Sequence, residues 1–194
     1  MKTGEICDPC LSLISHHEKM PLAIDHHPMA LFYYEHTISE LLKNAKYYNQ
    51  TTSIHVLMKL IENSLRENSI DKMLSSFDAE GITYIPTHWV NRLMRGVDLP
   101  YLFAMLLSKK ITLPILDTLE RASPNHRQAL IKKKILRRDA IKDSFRLKRN
   151  VSRYKRILLV DDIVTTGSTF IEAKRILKPV AQDIRCIAIA KTPL

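Results

Sequence analysis

The sequence is poor in the residues that staple, hinge or anchor a chain. Three cysteines in 194 residues exclude a disulfide framework and fit a reducing compartment. Only four glycines and one tryptophan are present. No apolar run approaches the roughly 20 residues of a membrane span. The opening MKTGEICDPCLSLISHHEKM lacks both the apolar core and the cleavage site of a signal peptide, so a cytoplasmic location is expected. Acid is scarce too: 20 Asp and Glu against 30 Lys and Arg leave a net charge of +10, which points to an anionic partner.

What is present is a core. Hydrophobic residues make up 45% of the chain, enough for one α/β domain with a small appendage. The segment FYYEHTISELLKNAKYY reads as a strand followed by a helix. Thr37 and Glu40 have capping-box spacing and place the helix start at Ile38, with Ile38, Leu41, Leu42 and Ala45 on one face. A second helix runs through SIHVLMKLIENSL, carrying Ile54, Leu57, Leu60, Ile61 and Leu65 at helical spacing. EGITYIPTH is turn, strand and terminating proline. DLPYLFAMLLSKK is helical, with Asp98 as cap and Pro100 in the first turn. A strand-like stretch surrounds Leu116, and RILLVDD has the wholly apolar character of a central parallel strand. FIEAKRILKPV is a helix and IRCIAIAK a further apolar strand, in which Cys186 is a core residue. This alternation predicts an α/β fold with a parallel sheet covered on both faces.

The charge is uneven. From Leu130 to Arg156 there are twelve Lys or Arg against only Asp139 and Asp143. Two readings stand side by side: a solvated helix face with a basic linker, or a surface for nucleic acid or polyphosphate centred on Lys132, Lys133, Lys134, Arg137 and Arg138. Few aromatics interleave, only Phe145 and Tyr154.

The stretch with most chemistry is RILLVDDIVTTGST, residues 156–169. A buried parallel strand runs into two adjacent acids, Asp161 and Asp162, at the sheet end where ligands bind. Carboxylates there accept hydrogen bonds from vicinal hydroxyls such as those of a ribose. The loop Thr165, Thr166, Gly167, Ser168, Thr169 then opens a helix. Glycine allows successive N–H groups to form a concave anion site, the helix dipole adds to it, and the hydroxyls supply further donors. A diol site beside a phosphate cradle describes a ribose 5-phosphate site.

Position by position the string resembles the signature of type I phosphoribosyltransferases. The resemblance implies binding of phosphoribosyl pyrophosphate (PRPP) with Mg2+, and displacement of pyrophosphate from C1 by a nitrogen nucleophile. It implies that Asp161 and Asp162, the expected catalytic acids, hold the ribose hydroxyls, and that residues 165–169 hold the 5-phosphate. The likeness narrows to the ComF family of competence proteins. YIPTHWVNRLMRGVDLPYLFA resembles that family's strand, proline turn and RGFNQ helix start; Arg95 and Gly96 match, while Val97, Asp98 and Leu99 depart. LERASPNHRQALIKKKILRRDAIKDSF resembles the next family segment through Arg121, Gln128, Arg137 and Phe145, with Ala140 where asparagine is usual. FYYEHTISELLKNAKYYN resembles its tyrosine-containing strand, helix and lysine-aromatic ending. The same resemblance implies that Pro86, Thr87, His88, Arg92 and Arg95 face the pyrophosphate.

Residues 30–194 are thus expected to form a phosphoribosyltransferase-like domain, with residues 1–29 a partial cysteine-containing segment. ComF proteins carry a zinc module ahead of this domain, and Cys7 and Cys10 supply two of the four ligands Zn2+ needs. CDPCLSLI looks like the second half of such a module, so either the module has decayed or the chain starts late; His16, His17, His26 and His27 are further candidates. The resemblance implies a PRPP-binding protein serving DNA uptake, with single-stranded DNA and other competence proteins as partners. A nucleobase-salvage enzyme and a PRPP- or nucleic-acid-binding protein without turnover are the alternatives. Salvage has less support, because no segment after the loop looks like a base-recognition strand before the sequence ends at AIAKTPL.

Overall fold

In the computed structural model the described residues are 28–48, 50–67, 74, 76–87, 97–122 and 143–193. In chain order they form β1 (Met29–Tyr33), α1 (His36–Tyr47), α2 (Thr51–Glu67), β2 (Ile82–Tyr84) and α3 (Leu99–Ile111). Then follow β3 (Leu119–Arg121), β4 (Phe145–Leu147), β5 (Tyr154–Val164), α4 (Ser168–Leu177) and β6 (Ala181–Lys191).

β5 lies at the centre because it is apolar on both faces. It pairs in parallel with β6 on one side (Leu159 opposite Cys186, Asp161 opposite Ala188) and with β2 on the other (Leu159 opposite Thr83). β1 closes the far side against β6, giving the order β1-β6-β5-β2, parallel throughout. Beyond β2 the chain returns from α3 and makes one parallel bridge, Ile115 to Ile82. The strand-like segment expected around Leu116 is therefore a single bridge, and the next strand begins at Leu119. Gly81 allows this approach: a Cβ there would lie 2.6 Å from Leu116 Cγ.

Alternation along β5 sends side chains into two cores. Leu158 and Val160 pack with Ile187 and Ile189 of β6 against Ile38 and Leu42 of α1, Leu57 and Ile61 of α2, and Phe103 and Leu107 of α3. Ile157 and Leu159 pack on the opposite face with Phe170, Ala173 and Leu177 of α4, Phe145 of β4 and Cys186. Each fully buried leucine contributes about 1.5–3 kcal/mol. Burial pushes the Cys186 thiol up to about 12, with Lys174 acting against that and Asp161 adding to it, so the thiol is an inert core group. Both faces of the parallel sheet are covered, as the alternation of elements requires.

Two helix starts differ in detail from the sequence reading. α1 begins at His36, with Glu35 in extended conformation as its N-cap and no side-chain cap bond. Thr37 and Glu40 are both inside the helix, so their spacing is not a capping box. Asp98 does cap α3 and Pro100 does sit in its first turn, but the Asp98 side chain makes no cap bond. Its Oδ1 accepts instead from the Thr87 hydroxyl at 3.0 Å.

β3 and β4 form a separate antiparallel pair beside the sheet (Leu119 opposite Leu147, Arg121 opposite Phe145). It is tied to α4 through Asp143, whose backbone N–H donates to Glu172 Oε1 at 2.7 Å while Arg175 bridges Glu172 and Asp143. Among the described residues no helix is long and apolar enough to cross a membrane.

Candidate active site

The carboxyl end of β5 opens into a cavity of about 330 Å3. Its walls come from β1 (Tyr34 just beyond it), the end of α1 (Lys46), the segment after β2 (Ile85, Pro86, Thr87), the start of α3 (Pro100), and β3 (Arg121). Asp161, Asp162, Ile163, Thr165 and Thr169 complete it. A parallel sheet presents its strand ends and helix starts on the same edge, which is why segments so distant in sequence meet here.

The two acids do not sit where the strand stops. β5 continues to Val164, so Asp161 and Asp162 are consecutive strand residues and leave toward opposite faces. Asp162 shares the parity of Leu158 and Val160, the α1 side, and its Oδ2 lies 2.8 Å from Lys46 Nζ. Asp161 shares the parity of Ile157 and Leu159 and is buried. Its Oδ1 accepts the backbone N–H of Asp162 at 2.8 Å. Burial, and then the neighbouring Asp162 charge, hold the Asp161 carboxyl well above the usual carboxylate range; the Asp162 N–H, Lys46 and Arg121 act in the opposite direction.

Arg121 supplies the second cation. It reaches over the Phe145 ring, 5.0 Å from the centroid, and its Nε donates to the Pro86 carbonyl at 3.1 Å. Desolvation lowers its pKa, while the charges of Asp161 and Asp162 raise it, and a guanidinium stays protonated throughout. A positive charge is thereby fixed on the Pro86–Thr87 rim of the cavity.

Gly167 forms the N-cap of α4 at φ 74°, in the left-handed region that a side chain resists. Having no side chain, it makes no cap bond itself, and the first N–H of the helix, that of Ser168, reaches Thr166 Oγ1 at 3.4 Å. Thr165 and Thr169 line the cavity. Thr166 Oγ1 and Ser168 Oγ lie 2.9 Å apart and bond to each other, which stiffens the turn.

Asp161, Asp162, Thr165, Thr169, Pro86 and Thr87 therefore share one cavity. His88, Arg92 and Arg95, the basic cluster Lys132, Lys133, Lys134, Arg137 and Arg138, and Cys7 and Cys10 lie outside the described residues. Two cavity cations, Lys46 and Arg121, were given no role by sequence reasoning. Both carried a usable signal: Lys46 is the lysine of the lysine-aromatic helix ending, and Arg121 one of the matched positions in LERASPNHRQ. Among the described residues no group of three or more His, Cys, Asp and Glu side chains is placed to hold a metal ion.

The comparisons with known proteins point the same way as the strand–loop–helix motif of the sequence. Residues 100–193 match the family model "Phosphoribosyl transferase domain", which takes in β5, the 165–169 loop and α4. Over 163 residues the chain is 27% identical to Competence protein F of Haemophilus influenzae, covering 82% of this chain and 70% of that protein. Among solved structures it is similar to the allosteric regulatory enzyme of purine biosynthesis (18% identity, TM-score 0.41), over 69% of this chain but only 25% of that one. Adenine phosphoribosyltransferase of Leishmania tarentolae is 13% identical with a TM-score of 0.43, over 82% of this chain and 89% of that one.

Proposed function

We propose that the chain binds PRPP in this cavity and acts as a ComF-like phosphoribosyltransferase-type protein. The observation that carries the reading is the placement of two unlike acids and a glycine-capped helix start around one cavity. Asp161 and Asp162 take the ribose hydroxyls. Thr165, Thr169 and the first turn of α4 take the 5-phosphate, where backbone donors and the helix dipole favour an anion. Arg121 and the Pro86–Thr87 segment meet the pyrophosphate. Transfer then breaks the bond from C1 to the pyrophosphate oxygen as a nitrogen nucleophile bonds to C1. Fixed positive charge on the leaving-group side and carboxylates beneath the ribose stabilise the separating charges.

Mg2+ suits this donor set only as a companion of the diphosphate. Asp162 is already paired with Lys46, Asp161 is buried, and among the described residues no third acid stands near enough to make an all-protein cage. When bound, the ion would neutralise the diphosphate. The test is calorimetric titration of PRPP with Mg2+ into the wild type and an Asp161→Asn/Asp162→Asn variant. Binding abolished in the variant is expected; no binding by a folded wild type overturns the reading. Pyrophosphate release on adding a free nucleobase would assign turnover and favour salvage.

A role in DNA uptake is the wider proposal, supported by the relative named Competence protein F and by the net charge of +10. Half of the described basic residues of this stretch, three of six, pair with acids of their own chain. Arg146 pairs with Glu120 at 3.6 Å, Lys148 with Asp117, and Arg156 with Asp78. We place the contact with single-stranded DNA on Lys132, Lys133, Lys134, Arg137 and Arg138, where the basic residues are densest in the sequence. Neutralising them should weaken single-strand binding and flatten its dependence on salt; unchanged binding removes them as the footprint.

A further inference from the structure

The acids of the site are not equivalent: Asp161 is buried, and Asp162 is paired with Lys46. This lysine stands in the last turn of α1, where the helix dipole favours a cation. Ile38, Leu42 and Ala45 are buried against the sheet and fix the helix, so the base of the lysine stem is fixed with it. Lys46 Nζ and Asp162 Oδ2 are 2.8 Å apart, with side-chain exposures of only 18% and 16%. Both residues line the cavity. This is unlike the exposed pairs at the other end of β5, where Asp78 is 81% exposed.

Without the lysine, Asp162 would be a largely buried carboxylate beside a second one on the adjacent residue. Two such acids relieve their repulsion by keeping a proton or by turning toward water. With the lysine, one oxygen of Asp162 is held by the ion pair, which leaves its other oxygen as an acceptor in the cavity. An ion-paired acid on one face of β5 and a buried acid on the other can receive two neighbouring hydroxyls separately.

Building on the functional reading above, we infer that Lys46 is a positioning residue: by holding Asp162 it gives the site its selectivity for an intact ribose diol over a deoxy sugar. Lys46 acts through Asp162 and does not itself contact the sugar. The lysine is also the last charged residue of α1, so the selectivity of a β5 acid depends on the docking of a helix from the other end of the chain.

The test titrates ribose 5-phosphate and its 2-deoxy and 3-deoxy forms into the wild type, Lys46→Met, Lys46→Arg, Asp162→Asn and the Lys46→Met/Asp162→Asn double variant. Thermal unfolding of each verifies the fold. The wild type should reject one of the deoxy sugars by about tenfold or more, the scale of a lost hydrogen bond to a charged group. Lys46→Met should bring that ratio to within about threefold, and Lys46→Arg should restore most of it, because only a cation is required. The double variant should be no less selective than Asp162→Asn alone, since both changes remove one device. Full selectivity in Lys46→Met overturns the inference. Equal weakening for all three sugars also overturns it, because the lysine would then be gripping the common phosphate. A wild type that binds the sugars without distinguishing them does the same while leaving the PRPP reading standing. A folded wild type that binds none of them, nor PRPP, removes the functional reading and this inference together.

Discussion

The two ends of β5 are both charged, and the chain treats them in opposite ways. At the amino end Arg156 reaches Asp78, and the N–H groups of Lys155 and Arg156 donate to the Glu80 carboxylate, all on the exposed surface. Each charge there has a partner and water besides. At the carboxyl end Asp161 is buried beside Asp162, and its carboxyl is held well above the ordinary range by burial and by that neighbour. The first arrangement costs little and contributes little. The second costs stability in the empty protein, and such a cost persists where a ligand recovers it. One strand thus shows which of its ends is scaffold and which is site.

That contrast can be broken from the carboxyl end first. Asp161→Asn/Asp162→Asn should lower PRPP affinity by on the order of a hundredfold or more, as the hydrogen bonds of both acids to the ribose hydroxyls are lost. Titration calorimetry reads this directly. Lys46→Met should follow, through the roughly tenfold loss of sugar selectivity described above.

Gly167→Ala tests the turn between acids and helix. A Cβ there meets no atom within 4 Å, so the cost is purely that of a positive φ, about 1–2 kcal/mol in urea unfolding. A change below measurement would mean that the turn relaxes freely.

Asp161→Asn should stabilise the empty protein, with a sign fixed by linkage. A carboxyl whose pKa is raised on folding contributes most below its unfolded value, and that contribution is lost as pH rises through the folded value. The variant's advantage is therefore absent near pH 3 and grows as pH rises to 8. It should reach roughly 2–4 °C in Tm, the response of a chain this size to 1 kcal/mol. An advantage that shrank with rising pH would mean Asp161 is stabilised as a carboxylate. The smallest effect belongs to the amino end: Asp78→Asn should shift unfolding by less than about 0.5 kcal/mol and leave PRPP binding untouched.

What the sequence made legible follows the same division. RILLVDDIV announced a doubly covered central strand, because a run apolar on both faces has no other home in a parallel sheet. TTGST announced a helix start, because a glycine between hydroxyls is local chemistry. The partners of the acids could not be read locally. Lys46 and Arg121 reach the cavity through the packing of α1 and the β3–β4 pair, and no spacing along the chain encodes that meeting. Asp98 shows the limit from the other side: its position as a cap was legible, but its side chain was taken by Thr87. Thr37 and Glu40 had the right spacing for a capping box, but the helix was already under way at His36.

The opposed directions of Asp161 and Asp162 have a mechanical consequence. Asp162 is paired with Lys46 on the α1 side, and Asp161, on the next strand position, is buried. Under the proposed function, a sugar gripped by both acids would act as a rivet through the sheet. Its binding should slow amide exchange in both layers at once, rather than in the loop that touches the phosphate.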